Sequence, residues 1–512
     1  MNLFARRRSG SLAPRALSAL APLALLALLA ACASEPTPPP NAPENGKTTP
    51  TATPAVTTAG PQKATGEPAK VDTAPKPAQA KVSLIANEMH DDVEGAMKKA
   101  RAEGKVVLVD AWAPWCHTCL SMKSYVLPDP SLAPLADRVV VVAIDTDRPE
   151  NAGFLEKYAV NVWPSFFVLD PAAGQVLGYW PGSASAREMK QLLDESIASL
   201  DDARASKMPA GSPDRELLTA KAAQATGEYD KAAKAYARAV DKAPATWARR
   251  SEALMGWVFA LYRGRNWDEC ARVGKAHANE VTGAAVPADY SSMLLACASK
   301  LPAGEVQTEA KRAAVAKLKE ITEKPAADAS ADDRADALAI LADALKEGGD
   351  LEGARKANEA RVAVMEAAAK AAPTPEAAAT YDYARAGAYV AMGRANDAVK
   401  MLEQREREMP DSYEPPARLA GVLARIDRLP EALAAIDRAI KRAYGPRKLQ
   451  YLKLKSDILA QMGDSKGHVE TLREEVAGYE ALAKGHASKE RLADAKKRLA
   501  AAEKKAPKAG TK

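Results

Sequence analysis

At 512 residues the chain is too long for one ordinary hydrophobic core, so two or more domains are expected. Aromatic residues are only 5% of it and alanine is used heavily, which favours helices over β-sandwiches through much of its length. The net charge of +6 is spread over mixed acids and bases, with no basic stripe interleaved with aromatics, so no nucleic-acid partner is expected. The five histidines are scattered and no pair lies at helical ligand spacing, so neither a metal site nor a bound cofactor is expected.

Arg6, Arg7, Arg8 and Arg15 precede an apolar run at 17–29, and small residues follow. This order is that of an export signal, and the run is too short and alanine-rich to read first as a permanent span. It ends in Leu29-Ala30-Ala31-Cys32, which resembles the lipobox of bacterial lipoproteins. The resemblance implies a signal peptide over 1–31 and lipid on the sulfur and new amino group of Cys32. That would anchor the chain to a membrane on the periplasmic side of a bacterial cell envelope. Ala33 stands where an Asp would imply retention at the inner membrane, so the outer membrane is favoured. Residues 32–81 are rich in proline, alanine and threonine and poor in large apolar side chains. Such a segment cannot bury enough surface to offset its ordering entropy. It is expected to be a disordered tether of roughly 40 Å coil dimension.

From 82 to about 205 the pattern alternates. A helix is expected over 91–103, closed by Gly104, then a strand over 106–111. A helix follows over 116–125, and Pro128 and Pro130 interrupt it. The β-branched run at 139–144 reads as a buried strand, 149–158 as a helix, 165–169 and 175–179 as a hairpin, and 186–200 as a closing helix. Helices alternating with strands predict a sheet covered on both faces.

The first strand runs into Cys116-His117-Thr118-Cys119. A Cys-x-x-C between a strand and a helix is a redox motif; half of a zinc site would need a second pair nearby, and none is there. Only a thiolate attacks a disulfide, and a free thiol has a pKa near ~8.5. Cys116, at the helix N-terminus, faces the positive end of the dipole and is the expected nucleophile. Cys119, one turn in, is the expected resolving thiol.

Over roughly 120 residues this region resembles the thioredoxin family. Trp112-Ala113-Pro114-Trp115-Cys116 fits the family's aromatic lead-in, Trp163-Pro164-Ser165 the site of its cis-proline, and Gly174 and Gly182 its late glycines. Met122, Val126-Leu127-Pro128-Asp129-Pro130 and Ile144-Asp145 look most like reductase-type periplasmic domains. The resemblance implies a proton relay at Asp110, whose carboxyl pKa burial should raise. It implies a cis-proline at Pro164 that frees a neighbouring carbonyl for a client strand. Trp115, His117 and Trp163 are expected to rim the site for peptide-like clients, with Trp112 packed in the core. Where the family often has a lysine facing the buried Asp, this chain has Val141, so Asp110 should be harder to ionise. His117, between the cysteines, either stabilises the thiolate as an imidazolium or is exposed on the first helical turn.

After about 210 the strands stop. Gly227-Glu228-Tyr229-Asp230 is followed by Ala232, Tyr236, Ala239 and Pro244, a spacing that resembles the tetratricopeptide repeat. Copies start at Gly264-Arg265-Asn266, Gly349-Asp350-Leu351, Gly393, Asp427-Arg428-Leu429 and Gly463-Asp464, the last three 34 and 36 residues apart. Six helical hairpins over 210–505 are therefore expected to stack into an all-α solenoid, followed by a basic tail at 506–512. Cys270 and Cys297 fall on adjacent helices and form either a disulfide or two buried thiols.

These readings converge on a lipid-anchored thiol–disulfide oxidoreductase with no cofactor beyond its own cysteine pair, reduction being the favoured direction. Its partners would be protein thiol and disulfide clients, an electron donor or acceptor protein, and a protein bound by the repeats. The alternative is an envelope scaffold that uses the thioredoxin-like domain to bind peptides.

Overall fold

The computed structural model describes residues 83–204 and 209–505. The expected signal peptide, Cys32, the tether and the basic tail lie outside these residues.

The first region contains β1 (Met89–His90), α1 (Val93–Glu103), β2 (Val106–Trp112), α2 (His117–Ser121), β3 (Val139–Asp145), α3 (Ala152–Lys157), β4 (Ser165–Leu169), β5 (Val176–Pro181) and α4 (Ala186–Arg204). Strand order is β1-β3-β2-β4-β5, with β1, β3 and β2 parallel and β4 and β5 antiparallel to their neighbours. The side chain of Asp92 accepts the Gly95 N–H to start α1, and Gly104 closes it at φ 68°.

All of β3 is buried, and all of β2 except Trp112. That is why both read as continuous apolar runs rather than alternating ones: each sheet face is covered. Val107, Val109, Val142 and Phe167 pack on one face with Ala96 and Ala100 of α1. Leu108, Val141 and Phe166 pack on the other with Met122, Met189 and Leu193. The second core runs on without a break into Leu217, Tyr236 and Leu254 of the helical region. The sequence pattern misses β1, which is too short to have one. The helix expected over 116–125 is α2 followed by a π-helical turn, Met122–Val126, and the one expected from 149 begins as a 3₁₀ turn before α3.

The helical region consists of α5 (Pro213–Ala225), α6 (Tyr229–Lys242), α7 (Arg250–Arg263), α8 (Trp267–His277), α9 (Val286–Ala298), α10 (Glu305–Glu323), α11 (Ala331–Glu347), α12 (Leu351–Ala371), the short α13 (Pro375–Ala379), α14 (Asp382–Ala391), α15 (Ala395–Glu408), α16 (Glu414–Arg425), α17 (Leu429–Arg442), α18 (Gly445–Gln461), α19 (Ser465–Ala481) and α20 (Lys489–Lys505). Each of the six expected turns reverses the chain through one left-handed residue: Gly227, Arg265, Gly349, Gly393, Asp427 and Gly463. Small residues also let successive hairpins approach. A Cβ on Gly256 of α7 would lie 2.3 Å from the Tyr236 ring of α6.

The described residues form seven hairpins, not six. The extra one pairs α9 with α10 across a linker at 299–304 that has no left-handed residue, so it lacks the signature that marks the others. A disulfide joins Cys270 of α8 to Cys297 of α9, with both sulfurs buried and Cα atoms 6.0 Å apart, and ties this hairpin to the one before it.

Candidate active site

β2 brings Asp110 and Trp112 to the end of the sheet, and a short turn delivers Cys116 to the start of α2. Cys116 is the N-cap residue, and its Sγ accepts the Cys119 N–H at 2.9 Å. The two cysteines form a disulfide, with Cys116 4% and Cys119 1% exposed. The Trp163–Pro164 peptide is cis. Trp112, Trp115 and Trp163 pack around the two sulfurs together with Ala113. Trp112 is thus a wall of the site rather than a core residue, because it is the last residue of β2, paired with Asp145 at the end of the ladder and only partly buried. The Trp115 and Trp163 rings lie 5.1 Å apart. Their indole N–H groups donate to Asp147 Oδ2 and Thr146 Oγ1, both at 2.7 Å, so the loop after β3 fixes both rings.

Asp110 is 1% exposed and neither carboxylate oxygen has a hydrogen-bond partner. Burial pushes its pKa up to about 7, with Lys123 acting against the shift and Glu88 adding to it. Lys123 corrects the expectation drawn from Val141. Its Nζ lies 3.7 Å from Asp110 Oδ2, 3.5 Å from Glu88 Oε2 and 4.2 Å from the centre of the Trp112 ring. The cation comes from the turn after α2 instead of from β3. Its signal was available: Lys123 is seven residues after Cys116, two helical turns along the same face.

His117 is held by the repeats. Its Nδ1 lies 3.1 Å from Asp332 Oδ1 of α11, and its ring stacks on Tyr383 of α14 at 5.3 Å. Burial pulls the imidazolium pKa down, but Asp332 and Asp336 outweigh it and raise the value to about 9. The alternative of an exposed first-turn residue does not hold.

The same wall continues around the rim. Arg418 of α16 donates to the Trp115 carbonyl at 3.3 Å, and the Arg447 guanidinium of α18 sits 4.8 Å from the centre of a Trp115 ring. Ser183, just after β5, donates to Asp333 at 2.6 Å, and Tyr125 to the Ala377 carbonyl at 3.1 Å. Tyr444 donates to the Asp145 carboxylate, and His486 Nε2 lies 2.9 Å from the Thr146 carbonyl. The rim expected to face clients is therefore covered by the chain's own repeats.

The family described as thioredoxin-like domain matches residues 93–197. Over 110 residues the chain is 31% identical to the thiol:disulfide interchange protein DsbD of Pseudoalteromonas atlantica, a match covering 20% of this chain and 19% of that protein. The chain therefore spans about a fifth of that relative's length. Over 100 residues it is 33% identical to a thioredoxin H-type of Oryza sativa subsp. indica, covering 19% of this chain and 75% of that protein. Among solved structures, a tetratricopeptide repeat protein from Parabacteroides merdae is similar over 57% of this chain and 98% of that one, at 13% identity and a TM-score of 0.36. Because the match takes in three quarters of a whole thioredoxin, and the matched domain folds around the Cys116–Cys119 disulfide, the chain belongs to the thioredoxin family.

Proposed function

We propose that the protein is a thiol–disulfide oxidoreductase of the bacterial cell envelope that exchanges disulfides with client proteins, reduction being the favoured direction. The observation that carries this reading is the Cys116–Cys119 disulfide at the N-terminus of α2, with buried Asp110 on the strand that leads into it.

In the reduced protein the Cys116 thiolate attacks a client disulfide. A bond forms between Cys116 and one client sulfur, and the other client sulfur leaves as a thiolate. Asp110, with a pKa near neutrality, takes the Cys119 proton. The Cys119 thiolate then attacks Cys116, restores the internal disulfide and releases the second client thiolate. The client gains two electrons and the cysteine pair loses two, so a donor protein must reduce the pair before the next turn. Pro164 lies beside the site, and an extended client segment would pair along this edge once the repeats move off the rim. Lipid on Cys32 would hold the chain at the membrane, with the outer membrane favoured, and the repeats would recruit the client or the donor.

Cys119→Ser should accumulate clients as mixed disulfides on Cys116, visible on non-reducing gels. Cys116→Ser should accumulate none and should not turn over a disulfide substrate. Reduction that persists in Cys116→Ser removes this reading. A reduction potential for the pair near about −270 mV supports the reductase direction, whereas one near about −120 mV reverses it.

A further inference from the structure

We propose that His117, Asp332 and Asp336 bind a divalent transition-metal ion at the seam between the thioredoxin-like domain and the repeats. One candidate ligand atom from each of the three side chains lies within 4.8 Å of the other two. His117 is the first residue of α2, and Asp332 and Asp336 are four apart on α11, so one helix presents both carboxylates on one face.

Two further observations point to a missing ligand. Asp332 is 1% exposed, yet only its Oδ1 has a partner, at His117; Oδ2 is buried with none. Asp336 makes no hydrogen bond and no salt bridge among the described residues. A buried carboxylate is tolerated when it is hydrogen-bonded, ion-paired or bound to a metal, and Asp332 is under-supplied with the first two.

The surroundings are acidic as well. Asp333 and Asp289 face Asp336, while the cations that face the cluster are Arg361 of α12 and Arg418 of α16. Arg418 is already paired with Glu414 at 3.1 Å. Carboxyl groups therefore outnumber the arginines around a point where three ligand atoms already converge.

The donor set selects the ion. One imidazole and two carboxylates suit Zn²⁺ and its first-row neighbours, whereas Mg²⁺ and Ca²⁺ prefer oxygen throughout. Three protein ligands leave a fourth position for water. Stacking on Tyr383 holds the imidazole ring in one orientation. The ion would take the place of the proton on the imidazole nitrogen. Its ligands come from positions 215 residues apart, which is why no sequence spacing announces the site. An ion held this way fastens the redox turn to the repeats, and this proposal does not depend on the direction or the clients of the redox reaction.

The test uses the untagged chain with Cys32→Ser and both disulfides left oxidised, so that no thiol competes for metal. After chelator treatment it is titrated with Zn²⁺ by calorimetry. One Zn²⁺ per chain is expected, together with a rise in Tm. Asp336→Asn and His117→Gln should each weaken binding by at least about tenfold and lose the rise in Tm. Asp336 is only half-buried, and the unfolding midpoints of both variants without metal report whether they fold. No saturable one-to-one binding, or binding unchanged in either folded variant, overturns the proposal.

Discussion

Lys123 Nζ lies 3.7 Å from Asp110 Oδ2, so the buried carboxyl on the strand leading to the disulfide has a cation beside it after all. Burial raises the Asp110 pKa and Lys123 lowers it, and the result is near neutrality, where a group can both take and give up a proton. Lys123→Met removes the lowering charge and leaves Glu88, which raises the value further. The expected result is that release of a mixed disulfide, measured in single turnovers across pH, keeps its shape but shifts to higher pH by about one unit or more. An unchanged midpoint would remove Asp110 as the base.

Asp110 should also make stability depend on pH in the unusual direction for a carboxyl. Its ordinary pKa is 3.8, and in the folded chain it keeps its proton up to about 7. Between these values the folded state binds more protons than the unfolded one, so this residue's contribution falls as pH rises through that window. Asp110→Asn removes the charge. Relative to the parent, the variant should gain stability from about pH 4 to 7 and hold the gain above 7, with roughly 4 kcal/mol as an upper scale. Denaturant midpoints of the oxidised proteins at pH 5 and pH 8 measure the difference. A variant that gains nothing between the two pH values contradicts the assignment.

The covered rim predicts that small and large substrates differ. With Cys116 4% exposed beneath α11, α14, α16 and α18, a small dithiol needs only local motion, whereas a folded client needs the wall to move. Ser183→Ala with Tyr444→Phe deletes two hydrogen bonds that cross from the domain to the repeats. Both have carboxylate acceptors and contribute about 1–3 kcal/mol each, so the open fraction should rise roughly tenfold or more. Reduction of the internal disulfide by a reduced protein should accelerate accordingly, while reduction by a small dithiol should change little. Equal acceleration of both would mean that the wall does not gate the site.

The division between what the sequence reveals and what it hides follows the range of the contacts. Continuous apolar runs mark β2 and β3, because both sheet faces are covered. The turns at Gly227, Gly349, Gly393 and Gly463 are visible because a reversal through a left-handed residue selects glycine. The α9–α10 hairpin escapes because its linker makes no such demand. Cys116 and Cys119 are recognisable from local spacing, and Asp110 and Pro164 from the resemblance to the thioredoxin family. Asp332, Tyr383, Arg418 and Arg447 are not, since they reach the site only through long-range packing of the helices against the domain, which no local periodicity encodes. His117 and Asp332 are 215 residues apart, and Trp115 and Arg418 are 303 apart.

Two repeat turns use a residue other than glycine, and they should respond unequally to its introduction. Arg265, between α7 and α8, has φ 62°, and Asp427, between α16 and α17, has φ 60°. An L-residue pays roughly 1–2 kcal/mol for this conformation, less when it is Asp, whose short side chain tolerates it. Glycine removes that strain but loses about 0.4–1 kcal/mol through the greater freedom of the unfolded chain. Arg265→Gly should therefore stabilise its hairpin by roughly 0.5 kcal/mol, and Asp427→Gly should have an effect closer to zero. Both side chains are exposed, so lost packing does not obscure the comparison. Hydrogen exchange of α7 and α8 in one variant, and of α16 and α17 in the other, reads each hairpin where whole-chain unfolding of a repeat array averages over its units. A larger gain at 427 than at 265 would show that Arg265 has a compensating contact that the backbone conformation does not reveal.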